Sequence, residues 1–171
     1  EGKIRSSKYP AATIDKELPF NIPKNWQWTR FGALVQHSEA GWSPKCEEFP
    51  RTGDNWGVLK VSAISWGKFK PAENKALPAD LDPRPEYEVM SGDMLISRAN
   101  TAELVAKSVV VDDCPPKLMM SDKIIRFKLT PLVDLRFCNL VNASSTSRAY
   151  YAEVAGGTSA SMKNVSREQI L

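Results

Sequence analysis

Proline and glycine punctuate this chain so often that only one long stretch is left for helices. There are twelve prolines and nine glycines. Residues 1–25 hold Pro10, Pro19 and Pro23 among many charges. They read as an extended lead-in, since proline fixes φ and gives up a donor. Residues 38–55 hold Gly41, Pro44, Pro50 and Gly53 and read as a long loop. With Pro71 upstream, Pro78, Pro83 and Pro85 make residues 74–88 loop or broken helix. Pro115-Pro116 breaks the chain again. Only Leu135 to Val154 runs with few breakers.

Short strands fit between the breaks. Val58–Ser62 is the first expected strand, and Met94–Ser97 follows the turn signal Ser91-Gly92-Asp93. Val105–Val111 is a β-branched run. Ile124–Leu129 alternates basic and apolar residues after its first pair, as a half-exposed strand does. Trp28, Phe31, Leu34 and Val35 share helical spacing and predict a short helix over 28–35. Leu135–Val154 predicts two short helices, with Ser144-Ser145-Thr146 capping the second. Ser166 and Gln169 have the spacing of a capping box, so another element starts at Ser166. The chain stops within that element and reads as a piece of something longer. Trp26, Trp28, Phe31 and Tyr150 are assigned to the core, with burial beginning at Trp26-Gln27-Trp28.

Formal net charge is +3, carried at one end. Residues 1–30 hold six basic and three acidic side chains, and the rest holds 17 of each. A neutral body argues against a charge-driven, nonspecific nucleic-acid binder. It leaves room for a binder that gathers a few cations on one face. No apolar run is long enough to span a bilayer, and no signal-peptide core begins the chain, so the cytoplasm is the expected compartment.

Catalytic equipment is scarce. His37 is the single histidine and lies in a polar context. A hydrolase would have to use it, which is the weakest of the functional readings. Cys46, Cys114 and Cys138 are too scattered for a zinc site or a disulfide framework and read as free thiols. No P-loop or dinucleotide fingerprint occurs, so no cofactor is expected. Asp112-Asp113 and Glu47-Glu48 are neighbours that point apart in an extended chain and read as solvated charge.

Four segments are instead rich in hydrogen-bond donors. They are Gly41-Trp42-Ser43-Pro44-Lys45, Ser97-Arg98-Ala99-Asn100-Thr101, Ser121-Asp122-Lys123 and the stretch AGGTSASMKNVS at 155–166. The last has two glycines, a lysine and no acid. Composition leaves two readings for it, a flexible surface loop or a loop that binds phosphate or a base edge. Arg98 and Asn100 are suited to bidentate contact with guanine and adenine. Together the four segments favour a recognition surface.

The ordered pieces LPFNIPKNWQWTRFGAL (18–34), GWSP (41–44), VLKVSAI (58–64), GDMLISRANT (92–101), LMMSDKIIRFKL (118–129) and GTSASMKNVS (157–166) carry a resemblance. The set resembles a target recognition domain of the specificity subunit of type I restriction–modification enzymes. The opening EGKI looks like the tail of that family's preceding helical region. The resemblance implies a domain that reads one half of a bipartite double-stranded DNA target, mainly in the major groove. It implies methyltransferase and restriction subunits as partners, no membrane, and no catalytic activity in the specificity subunit itself. It divides the chain into a lead-in at 1–17 and a recognition domain at 18–171.

The expected fold is α+β, a single globular domain with a mostly antiparallel, twisted β-sheet and a few short helices. Arg98, Asn100 and Thr101 are the expected base-edge or groove contacts. Lys60 and Ser62 are placed on the first strand, facing either the groove or ordinary solvent. Ser43 and Lys45 are expected at phosphate or groove, and Lys123 at phosphate. Thr158, Ser159, Ser161 and Lys163 are expected phosphate donors, while Asn164 either joins them or caps the next element. Two rival readings stay open. One is the same domain in a fused restriction–methylation chain, and the other a protein-interaction domain without a DNA role.

Overall fold

Strand Met94–Ser97 (β4 in chain order) is where the fold is anchored, because all four of its residues are buried. The computed structural model describes residues 20–159 and 162–171. The expected lead-in at 1–17 lies outside them. β4 sits inside a four-stranded antiparallel sheet with Val35–Ala40 (β1), Ile124–Leu129 (β8) and Ser108–Val110 (β6), ordered β1-β8-β4-β6. Side chains alternate across a strand, so this sheet feeds two cores. Met94, Ile96, Ile125 and Phe127 enter one cluster with Val105, Cys138, Tyr151 and Ile170. Leu95 and Ile124 enter another with Leu59, Ile64, Val109 and Leu118.

Two smaller sheets flank it. Gly57–Leu59 (β2) pairs antiparallel with Asn74–Ala76 (β3) and parallel with Leu118–Met119 (β7). Ala99–Asn100 (β5), Met162–Asn164 (β10) and Gly156–Ser159 (β9) form the third sheet, with β10 in the middle. The α+β class holds, with antiparallel pairing throughout except between β2 and β7.

The helices follow local signals. Leu135–Ala143 (α2) starts at Asp134, whose carboxylate accepts from the backbone N–H groups of Arg136 and Phe137. Ser145–Val154 (α3) starts at Ser144, whose hydroxyl accepts from Ser147 N–H. Arg167–Ile170 (α4) begins with the expected reciprocal capping box of Ser166 and Gln169.

Several sequence expectations change. The helix foreseen at 28–35 shrinks to Phe31–Leu34 (α1), and the loop foreseen at 38–55 begins with the end of β1. The first strand ends at Leu59, and Val61–Ile64 is a 3-10 turn, so neither Lys60 nor Ser62 is on a strand. The 74–88 segment opens with β3 and closes with a 3-10 turn at Pro85–Tyr87. β8 is not half-exposed along its length, because its first four residues, Arg126 included, are buried and exposure begins only at Lys128. Trp26 and Tyr150 are exposed, although Trp26 meets Phe137 edge-on with ring centroids 5.7 Å apart. Trp28 is half-buried against Phe20, and Phe31 does pack on the core against Phe127.

Candidate nucleic-acid interface

Within the stretch 155–166, β9 and β10 pair antiparallel, which answers what its glycines are for. β10 runs beside β5 with Lys163 opposite Asn100 and Asn164 opposite Ala99. At Gly157 φ is +117° and an added Cβ would lie 2.4 Å from the Met162 carbonyl oxygen, so only glycine fits the close strand. The hairpin therefore lies against the strand end that carries Arg98 and Asn100.

Hydrogen bonds connect all four donor-rich segments. Val165 N–H donates to the Arg98 carbonyl at 2.9 Å, and Arg98 N–H donates to the Lys123 carbonyl at 2.8 Å. Next to Lys123, Asp122 accepts from the Ser43 hydroxyl at 2.5 Å, and Asp122 N–H returns a bond to the same hydroxyl at 3.1 Å. Gly41 N–H reaches the Ile124 carbonyl at 3.2 Å, and Trp42 N–H the Met120 carbonyl at 3.0 Å. Segments far apart in the chain thus become one continuous set of strand ends and turns.

The side chains divide by what they already hold. Ser43 is committed to Asp122. Lys60 pairs with Glu73 at 2.8 Å, and the Ser62 hydroxyl donates to the same carboxylate at 2.7 Å. Those two bonds hold the Glu73 carboxyl below the usual carboxylate range. Asn100 donates to the Ser65 hydroxyl at 2.9 Å and accepts Thr101 N–H at 2.9 Å. Lys163 donates to the Gly157 carbonyl at 2.8 Å, tying the hairpin across its own base. Ser159 and Asn164 are exposed on their strands, and the cap of α4 is Ser166, not Asn164. Thr158 lies on β9, and Ser161 is outside the described residues.

Of the expected contacts, Arg98, Lys45 and Lys123 are cations left exposed and, among the described residues, without an ion pair. Among the described residues, neither Lys45 nor the Lys123 ammonium has a hydrogen bond either. Arg98 contributes a small attraction to Glu168, whose carboxyl is lowered first by its own backbone N–H and then by the Ser166 hydroxyl. Sequence reasoning missed Ser65 and Asp122 as the groups that hold Asn100 and Ser43. Nothing local signals a bond between residues 35 or 79 positions apart.

His37 is exposed, 3.8 Å from a Glu39 carboxylate oxygen. Among the described residues no three metal-binding side chains gather. Burial pushes all three thiols up, Cys114 to about 11. At Cys114 the thiolate is then about a hundredfold scarcer than at an ordinary thiol near neutral pH. Labelling by iodoacetamide at neutral pH should accordingly be slow at Cys114 and rise to three thiols on denaturation. Fast native labelling of Cys114 would contradict this burial.

One known protein matches this chain along nearly its whole length, and another along just over half. No family model matches it. The chain is 37% identical over 172 aligned residues to the type I restriction enzyme EcoEI specificity subunit of Escherichia coli. The chain is a relative of the type I specificity subunits. That alignment takes in 99% of the chain and 29% of the EcoEI subunit. The EcoAI specificity subunit of E. coli is 30% identical over 98 residues, 57% of the chain and 16% of that subunit. The chain thus spans under a third of the length of the specificity subunits it matches. Among the described residues no helix is long and apolar enough to cross a membrane.

Proposed function

We propose that this chain is a target recognition domain that reads one half of a bipartite duplex DNA site for a type I restriction–modification complex. The domain then has no catalytic role of its own. Methyltransferase and restriction subunits are its partners in the whole assembly, and the cytoplasm is where it works. The carrying observation is the linkage of four separated donor-rich segments, three through the backbone of Arg98, Lys123 and Val165 and the fourth through Ser43 and Asp122. A half-site reader needs a few donors fixed on rigid elements rather than a broad cationic surface. The neutral body agrees with that, since partner subunits can neutralise most of the phosphates.

Within this reading the residues take different parts. Arg98 projects exposed from a strand end and is the best-placed base reader, by the fork geometry that suits guanine. Lys45 and Lys123 are phosphate contacts, and Ser159 on β9 and Asn164 on β10 keep their expected role as DNA contacts. Ser43, Lys60, Ser62, Asn100 and Lys163 chiefly position loops, because their polar groups already have protein partners. Thr101, Thr158 and Ser161 keep their expected role as DNA contacts.

Competition binding with the methyltransferase subunit present separates these parts. Arg98→Ala should relax preference at one base position and cost about 1–3 kcal/mol there. Lys123→Ala should weaken all sequences alike and lower the log–log salt slope by about 1. Identical behaviour of the two variants would overturn the division. Exchanging this domain in an intact specificity subunit should change one half of the methylated motif in the host genome. An unchanged motif would remove the recognition reading altogether.

A further inference from the structure

The turn after the 3-10 segment carries an exposed aromatic and two lysines that none of the assigned contacts uses. Its sequence is Ser65-Trp66-Gly67-Lys68-Phe69-Lys70. We propose that this turn is a further DNA contact, in which the Trp66 indole packs against sugar and base-edge atoms while Lys68 and Lys70 meet phosphates. The inference rests on the DNA-recognition reading and extends the interface by one segment.

Three observations carry it. First, the turn is fixed to the interface. Asn100, opposite Lys163 in the third sheet, donates to the Ser65 hydroxyl at 2.9 Å, and Ser65 in turn donates to the Val61 carbonyl at 2.7 Å. Second, the turn is rigid. Lys70 N–H closes it on the Ala63 carbonyl at 2.8 Å, Phe69 packs on the second core, and Ser65 is buried. Gly67 supplies the left-handed residue with φ +74°. Third, the turn presents side chains that the domain engages only lightly. Trp66 is 61% exposed, with the Lys70 ammonium 6.0 Å from its ring centroid, and Lys70 also adds a small attraction to Glu73. Among the described residues, the Lys68 ammonium has no hydrogen bond or ion pair.

The local charge supports an anionic partner on the lysine side. Glu73 is the nearest acid in the chain, and Lys60 and Ser62 already occupy it. On the other side, Trp66 walls a groove that Glu103 and Arg136 also line. Lys107 lines that groove too and the Arg136 guanidinium is paired with Asp112 at 2.9 Å, so with Glu103 the groove carries mixed charge, whereas the turn's other side carries two lysines and no acid of its own. The backbone is therefore assigned to the Lys68 and Lys70 side. An aromatic beside two cations on a rigid turn gives contact area and charge at small entropic cost.

The test measures binding of a mixed-sequence duplex to the chain together with its methyltransferase subunit, across a salt series. Trp66→Ala should weaken binding about tenfold at unchanged salt slope, and Trp66→Phe should restore part of the loss. Lys68→Gln with Lys70→Gln should lower the log–log slope by about 2. Tryptophan fluorescence quenched by DNA in the unmodified chain should lose its largest part in Trp66→Phe. Thermal unfolding should be unchanged in all three, because the substituted side chains are exposed. If Arg98→Ala weakens binding while the turn variants match the unmodified chain, this inference is wrong and the recognition reading stands. If the unmodified mixture does not bind duplex DNA, both fall.

Discussion

Arg126→Leu is expected to destabilise the domain by about 3–5 kcal/mol, the cost of stripping one partner from a buried ion pair. All five N–H donors of its guanidinium are used. Nε and Nη2 donate to one Glu39 oxygen at 2.9 and 2.6 Å. Nη1 donates to Asp93 at 3.0 Å and to the Glu88 carbonyl at 2.7 Å, and Nη2 also donates to the Glu86 carbonyl at 2.7 Å. Burial works against the guanidinium charge, and the bonds to Glu39 and Asp93 overcome it. Asp93 has no exposed surface and would be left with the Lys128 ammonium at 2.6 Å and Met90 N–H. Two backbone carbonyls would lose their donor as well. Arg126→Lys should recover only part, since an ammonium cannot span the same four acceptor atoms. Urea unfolding reads the result, and a midpoint equal to that of the unmodified chain would show that the network carries no stability. Adding Asp93→Leu to the Arg126→Leu variant should win some of it back, because the buried carboxylate is then gone.

Arg126 also marks where the sequence stops being readable. Its strand shows a basic–apolar alternation, which by period alone means one wet face. At Arg126 that face is closed off by Glu39, Asp93 and the turn bearing the Glu86 and Glu88 carbonyls, while Lys128 two residues on stays exposed. Local signals survive folding well. The turn at Ser91-Gly92-Asp93, the Ser144 cap and the Ser166–Gln169 box all lie within a few residues of what they control. Signals that need a distant partner do not. β1 reads Val-Gln-His-Ser-Glu-Ala, polar enough to pass for loop, and becomes a strand by pairing with β8, far along the chain. The hairpin at 156–164 has little strand propensity and is held by pairing with β5. The same limit applies to the interface. Which segments bear donors was legible, whereas which donors are already spent on Asp122, Glu73, Ser65 or Gly157 was not.

Gly41→Ala is expected to cost about 3 kcal/mol, at the upper end for forcing atoms into a packed site. A Cβ there would lie 2.1 Å from the Met120 carbonyl oxygen and 2.4 Å from its carbon. Both are backbone atoms of a fully buried residue, so rotamer adjustment cannot relieve the contact. Something must move, and the bonds at risk are Gly41 N–H to Ile124 and Trp42 N–H to Met120. The damage would travel to the interface, because these bonds set the distance between the Ser43 hydroxyl and Asp122. Lys123 follows Asp122 directly, and its carbonyl holds Arg98 N–H. Urea unfolding would therefore show a lower midpoint, and DNA binding measured well below that midpoint would still be weakened. Ser43→Ala separates the two effects. It removes the tether to Asp122 without adding an atom, so it should leave stability nearly unchanged while loosening the Lys123 end of the surface. Should Gly41→Ala unfold at the unmodified midpoint, the close approach of the two backbones would be refuted. Gly41 entered the sequence reading as part of a polar turn with an aromatic and a cation. Its structural task is to let that turn lie flat on the segment that leads into Lys123 and Arg126.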